Sequence, residues 1–303
     1  MSARRATTSR GLTELLDGRF LARLDALDVH SRRILRGHLP GQRQSKRRGQ
    51  GVEFADHRPY VIGDDMRFID WNIYGRLDQL FLKVFLEEQD LTVHILLDVS
   101  GSVATGEPSK DRFLRRMAAA LTYVGVVHNN RVTLTAFADG VVAQLPNIRG
   151  RAYLPQVAEM LLAVRADGRT DFDRACRQAV ARRRGAGVMV VLSDFLFKGG
   201  YEQGLRRLIG RQYDLYAIQV LSPQELDPPV SGDLRLIDLE DGDAAEVTIS
   251  SALIRFYKRN LAAYCNELRA FLTARGATHV LTNSGEQVES LVLNYLRRMG
   301  LLK

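Results

Sequence analysis

From residue 91 onward, short continuous apolar runs alternate with segments whose apolar residues recur at helical spacing. That switch of hydrophobic period limits the possible folds, because a short uninterrupted run suits a strand covered on both faces, while a 3.6-residue period suits a helix with one face toward a core. Leu91 to Leu97 is such a run and ends at Asp98; Phe113, Leu114, Met117, Leu121 and Val124 then mark a helix. Arg131 to Phe137 and Val141 to Leu145 flank Ala138, Asp139 and Gly140, whose Asp-Gly pair is expected to supply the positive φ of a tight hairpin. Leu154, Val157, Met160 and Leu161 mark the next helix, and another is expected to open with Thr170 as N-cap and to carry Phe172, Ala175 and Val180. Val188 to Leu192 reads as a buried strand ending at Ser193 and Asp194, Leu205 and Leu208 as a short helix, and Leu215 to Val220 as a strand. The order is βαββααβαβ. A polar insert around Pro223 to Gly242 and two short strands precede a long helix with Leu253, Phe256, Tyr257, Leu261, Tyr264, Leu268 and Leu272. A strand from Thr278 to Leu281 and a helix carrying Val288, Leu291, Tyr295 and Met299 close the pattern. The fold class predicted is α/β, a doubly wound, mostly parallel sheet with one antiparallel strand from the hairpin.

The first ~85 residues break this rhythm. A helical start (Leu12 to Leu39) leads into a basic stretch containing Arg32, Arg33, Arg36, Arg43, Lys46, Arg47 and Arg48, then into a charged, aromatic and turn-rich segment from Glu53 to Arg76. The expected organisation is an appended subdomain over 1–85 and the α/β domain over 86–303. At 303 residues, 46% hydrophobic and 26% charged, the chain can bury a full core. It contains no run of about 18 to 20 apolar residues able to span a bilayer. The N-terminal Arg4, Arg5 and Arg10 lack an apolar signal core, so a soluble, cytoplasmic protein is expected. The two cysteines, Cys176 and Cys265, fall on apolar helix faces and read as buried thiols.

Asp98-Val99-Ser100-Gly101-Ser102 sits where a buried strand turns toward a helix, and ligands of open α/β sheets bind at the carboxyl ends of strands. A chain curling round a small cation can direct alternate oxygens inward, with Gly101 easing the path. Two further loops on the same edge offer oxygens: Gly168-Arg169-Thr170-Asp171-Phe172 and Leu192-Ser193-Asp194. A hard divalent ion such as Mg²⁺ suits hydroxyls with a few carboxylates. Taken singly, each piece has a plain reading as a helix or strand cap.

Together these residues resemble the metal-ion-dependent adhesion site of von Willebrand factor A-like domains, which pairs D-x-S-x-S with a distant threonine in G-x-T-D and an aspartate after a later strand. The resemblance implies Asp98, Ser100, Ser102, Thr170 and Asp194 as ligands of Mg²⁺ or Mn²⁺, in the family's chain order. Upstream, Gly51-Val52-Glu53-Phe54, Arg58-Pro59-Tyr60, Gly63-Asp64-Asp65, Arg67 to Asn72, Arg76 and Leu82 to Glu88 look like the signature of the bacterial family called domain of unknown function 58. That likeness covers roughly residues 30 to 200. It implies a protein partner, a MoxR-type AAA+ ATPase that contributes an acidic residue to the metal, and a role as adaptor or co-chaperone. Without the family, Arg58, Asp64, Asp65, Arg67 and Asp70 are expected to form ion pairs packed under Tyr60, Phe68 and Trp71, the sole tryptophan, with direct contact to a partner as the alternative.

An enzyme is not expected. The sequence has no G-x-x-x-x-G-K-[ST] loop, H-E-x-x-H pair or G-x-S-x-G elbow, and a phosphatase using Asp98 would resemble D-x-D, whereas position 100 is serine. The alternative function is nucleic-acid binding through Arg32 to Arg48, a stretch without interleaved aromatics to stack on bases.

Overall fold

The computed structural model describes residues 11–31, 52–87, 91–181, 187–209, 213–237 and 244–303. The chain divides into two compact units, Met1–Gly37 with Leu91–Lys303, and His38–Asp90. The basic stretch from Arg32 to Arg48 lies outside the described residues.

In the larger unit, residues 11–15 are helical and helix α1 (Gly18–Leu24) follows, capped by Asp17, whose side chain accepts the Phe20 N–H. The smaller unit pairs β1 (Val52–Pro59) with β2 (Phe81–Glu87) antiparallel, with α2 (Trp71–Leu77) between them. Asp70 caps α2 and also pairs with His57 at 3.0 Å and Lys83 at 3.4 Å. Arg58 makes two 2.7 Å bonds to Asp64, and Arg67 clasps Asp65, whose pKa it holds down at about 2. The expected aromatic cover does not form in this unit: Trp71 is 62% exposed and Phe68 47% exposed. Instead Trp71 meets Tyr74 edge to face. Local charge spacing makes the ion pairs, while these rings stay largely in solvent.

The rest of the larger unit follows the predicted alternation: β3 (Thr92–Asp98), α3 (Lys110–Val127), β4 (Arg131–Phe137), β5 (Val141–Ile148), α4 (Leu154–Ala163), α5 (Phe172–Ala181), β6 (Gly187–Ser193), α6 (Glu202–Leu208) and β7 (Tyr213–Leu221). A short α7 (Pro223–Leu226), the hairpin β8 (Gly232–Ile237) and β9 (Ala244–Ile249), α8 (Ser251–Thr273), β10 (Thr278–Asn283) and α9 (Val288–Ser290) complete it. The sheet order is β10-β7-β6-β3-β4-β5, all neighbours parallel except β4 and β5. Neither Asp139 nor Gly140 carries the positive φ expected of the hairpin. The connection from Ala138 to Gly140 is instead closed by the Ala138 N–H on the Gly140 carbonyl at 3.0 Å, and is not a two-residue primed turn.

The central strands read as unbroken apolar runs because both faces are covered. Val93, Ile95, Leu97, Val188, Val190 and Leu192 join one core with Leu114, Met117 and Leu121 of α3; Leu96, Met189 and Val191 join a second with Phe172, Leu205 and Leu268. Cys176 and Cys265 are buried free thiols, as expected.

The boundary at residue 85 is corrected by packing. Leu12, Leu16, Phe20 and Leu24 lie in the first core, Arg116 Nε donates to the Leu15 carbonyl at 2.9 Å, and Tyr123 Oη donates to Asp25 at 2.7 Å. Val29 also bridges to Leu302. The N-terminal helical segment thus belongs to the larger unit, and the other unit is His38–Asp90. Phe20→Ala, at a side chain only 2% exposed, should therefore cost about 3 to 5 kcal/mol in urea unfolding. A loss below about 1 kcal/mol would mean that this segment is an appendage after all.

Candidate metal centre

The strand register decides which side chains meet. Leu97 pairs with Leu192 on the adjacent parallel strands β3 and β6, so Asp98 and Ser193 emerge together at the carboxyl edge. From here the chain leaves β3 toward α3 in one core and leaves β6 toward α6 in the other, which opens the crevice where doubly wound sheets bind ligands.

Asp98, Ser100 and Asp194 are fully buried. Asp98 accepts the Ser100 N–H on Oδ1 at 3.0 Å and the Ser193 hydroxyl on Oδ2 at 2.6 Å. Ser193 in turn accepts the Phe195 N–H at 2.8 Å, and the Ser100 and Ser102 hydroxyls lie 3.0 Å apart. Asp194 accepts the Leu196 N–H on Oδ1 at 3.1 Å and the Lys110 ammonium on Oδ2 at 2.9 Å.

The loop carrying Thr170 is laced to the first by its backbone. Asp167 N–H donates to the Val99 carbonyl at 3.0 Å, and Gly101 N–H donates to the Gly168 carbonyl at 2.9 Å. Gly168 takes φ 82°, a region a side chain would strain. Capping of α5 falls to Asp171, whose carboxylate accepts the Arg174 N–H, and not to Thr170 as expected. A carboxylate one residue nearer the helix is the better-placed acceptor. Four of the five chosen residues thus sit on the loops after β3 and β6, and half-buried Thr170 sits on a third loop bonded to the first.

Burial, and then the negative charge of Asp194, push the Asp98 carboxyl up to about 7; hydrogen bonds from Ser193 and Ser100 offset this only in part. Burial alone would lower the Lys110 pKa, yet Asp194 and Glu225 together hold it above its ordinary value. Its Nζ is fully enclosed and donates to Glu225 Oε1 at 2.5 Å as well as to Asp194. Behind Asp194, Gln219 Nε2 donates to its carbonyl at 2.9 Å and Gln219 Oε1 accepts from His279 Nε2 at 3.0 Å. His279 Nδ1 is then left a buried acceptor with no partner, and burial lowers the ring's pKa to about 4.

The donor set fits a hard divalent cation. Asp98, Ser100, Ser102 and Asp194 present carboxylate and hydroxyl oxygens, with Thr170 on the adjoining loop. Among the described residues, no group of three or more His, Cys, Asp or Glu is arranged to hold a metal. A buried carboxylate, Asp98, whose charging a second carboxylate opposes is an environment in which a small cation gains much. Ser193, Gln219, Lys110 and Glu225 were not among the residues chosen from sequence.

Because the Asp98 pKa is raised in the folded chain, its contribution to stability is present below about pH 4 and lost as pH rises through about 7. In chelator, Asp98→Asn should gain stability relative to the wild type as the pH rises from about 4 to about 8, since it cannot ionise. Mg²⁺ or Mn²⁺ should erase that advantage by stabilising only the wild type. Thermal unfolding across pH, with and without ion, measures both; a pH-independent difference would contradict the coupled-carboxylate account.

The family model described as Protein of unknown function DUF58 matches residues 56–267. Uncharacterized proteins of Mycobacterium bovis and Mycobacterium tuberculosis are each 28% identical over 270 residues, which cover 86% of this chain and 84% of the relative. Solved structures with a similar chain path include BatB from Bacteroides thetaiotaomicron (13% identity, TM-score 0.42, 69% of this chain and 98% of that one). Another is a von Willebrand factor type A protein from Catenulispora acidiphila (15%, TM-score 0.40, 72% and 43%). Those overlays are distant, and the α/β assignment stands on the strand order itself. The family match takes in Asp64 to Trp71 as well as Asp98 to Asp194 and spans more than half of the chain, so this protein belongs to the DUF58 family.

Proposed function

We propose that the protein is a non-enzymatic, metal-dependent protein-interaction module. The observation that carries this reading is the meeting of two buried carboxylates, Asp98 and Asp194, with the Ser100 and Ser102 hydroxyls at the β3–β6 crevice. Asp98, Ser100, Ser102, Thr170 and Asp194 would hold Mg²⁺ or Mn²⁺, and the ion would supply a Lewis-acidic position for an oxygen from outside the chain. A set containing only two carboxylates balances the charge of a divalent ion and no more, so hydroxyl and water positions remain exchangeable for an acidic side chain of a partner. The surrounding surface then sets which partner is accepted.

Absence of catalysis is part of the proposal. Burial raises both thiols, Cys176 and Cys265, away from the nucleophilic thiolate, and buried His279 is held neutral. The partner that family resemblance favours is a MoxR-type AAA+ ATPase offering a carboxylate. No helix among the described residues is long and apolar enough to cross a membrane.

Surface plasmon resonance against a MoxR-type ATPase tests the reading. Excess chelator, Asp98→Ala, Asp194→Ala and Ser100→Ala combined with Ser102→Ala should each weaken binding by about tenfold or more, about 1.4 kcal/mol. Equal affinity with Mg²⁺ and with chelator would eliminate the ion bridge even if the two proteins associate.

A further inference from the structure

Lys110 is the anomaly of the larger unit. It begins α3, the first turn of a helix, where the macrodipole favours acidic side chains, and a lysine there ordinarily extends into water. Here it is fully enclosed. Its ammonium spans Asp194 Oδ2 at 2.9 Å and Glu225 Oε1 at 2.5 Å, joining residues 84 and 115 positions away in sequence. Glu225 is itself fixed: its Oε2 accepts the Ser222 N–H at 2.6 Å, closing the capping box of α7, and Tyr257 Oη donates to its carbonyl at 2.9 Å. Both carboxylate oxygens of Glu225 and both of Asp194 thus have donors, and Lys110 supplies one to each.

Resting on the metal-site reading above, we infer that Lys110 is a resident counter-cation of the centre, a positioning residue that holds Asp194 when no divalent ion is bound and weakens ion affinity when one is. The charges require the competition. Asp98, Asp194 and Glu225 bring three carboxylates toward the site, and Lys110 is the cation the structure places in contact with two of them. An ion binding at Asp194 meets a carboxylate already paired on Oδ2, and it meets the field of an ammonium within hydrogen-bonding distance of its own ligand. Because the ion and the lysine draw on the same carboxylate, each reduces the free energy gained by the other. The ion-free form is stabilised by the same pair, so the domain can stand without its ion and exchange it.

Glu225 sets the balance. With Glu225 ionised, the ammonium is shared between two carboxylates; with Glu225 neutralised, all of its charge bears on Asp194 and one negative charge leaves the neighbourhood. Lys110→Met and Glu225→Gln should therefore act in opposite directions on ion affinity. A merely structural lysine would not produce that pattern, since loss of packing at either residue would weaken binding in both.

The test is isothermal titration of the full chain with MnCl₂ alone, alongside thermal unfolding with and without Mn²⁺. Lys110→Met should bind Mn²⁺ about tenfold tighter than the wild type, unfold at a lower temperature in chelator, and show the larger upshift with the ion. Lys110→Arg should return affinity toward the wild-type value, and Glu225→Gln should weaken binding several-fold. If Lys110→Met proves unfolded, Glu225→Gln and Lys110→Arg decide: undiminished affinity in Glu225→Gln overturns the inference. Unchanged or weaker affinity in folded Lys110→Met also overturns it. Should the wild type itself bind no Mn²⁺ in a manner abolished by Asp98→Ala, the metal reading fails and this inference falls with it. A wild type that binds while Lys110→Met leaves affinity unmoved refutes the lysine's role alone.

Discussion

Everything at the carboxyl edge of the sheet answers to one constraint: two aspartates, Asp98 and Asp194, are carried out of water by adjacent parallel strands. Buried carboxylates are tolerated only when donors or cations meet them. The chain provides these by every available route: backbone N–H groups of Ser100 and Leu196, the Ser193 hydroxyl, and the Lys110 ammonium. Even so, burial and mutual repulsion leave Asp98 hard to ionise. The two cores that sandwich the sheet hold the strands in the register that forces this meeting, so the hydrophobic pattern and the polar site are parts of one arrangement.

Much of this was legible because its signals are local. Strand and helix order beyond residue 90 follows from the hydrophobic period, and the runs at Leu91 to Leu97 and Val188 to Leu192 are apolar at every position for the simple reason that both faces are covered. What depends on distant packing was not legible. The apolar face of the first helix says that Phe20 and Leu24 need a core, but not that the core lies on α3, about a hundred residues onward in sequence. Trp71 shows the converse: a large ring in a charged segment suggests packing, yet this one stays 62% exposed.

The site divides along the same line. Spacing within Asp98 to Ser102, the loop that carries Thr170 before α5, and the strand end before Asp194 are each legible in the chain one loop at a time. Ser193 carries no such local signal, since its role depends on register with Asp98 across two strands. Lys110 and Glu225 gave no sequence signal, because a lysine in a first helical turn and a glutamate three residues after a serine both have ordinary local readings. The second of these is true as well: Glu225 does complete the capping box with Ser222 while its other oxygen serves Lys110.

One helix, α8, braces the backbone beside both carboxylates that Lys110 joins. Phe195, immediately after Asp194, holds φ 58°, a left-handed conformation that costs a side-chain-bearing residue about 1 to 2 kcal/mol. It is kept there by burial against Phe172 and Phe197, by its N–H on Ser193, and by Tyr264 Oη donating to its carbonyl at 2.5 Å. Tyr264 lies on α8, and so does Tyr257, which holds the Glu225 carbonyl. Both carboxylates that Lys110 joins are therefore referenced to the same helix, two turns apart. Asp194 is held from the sheet as well: it follows Ser193 at the end of β6, and Gln219 of β7 donates to its carbonyl at 2.9 Å. Register between β3 and β6 thus sets where Asp194 meets Asp98, and α8 fixes the backbone on the far side of both carboxylates that Lys110 joins.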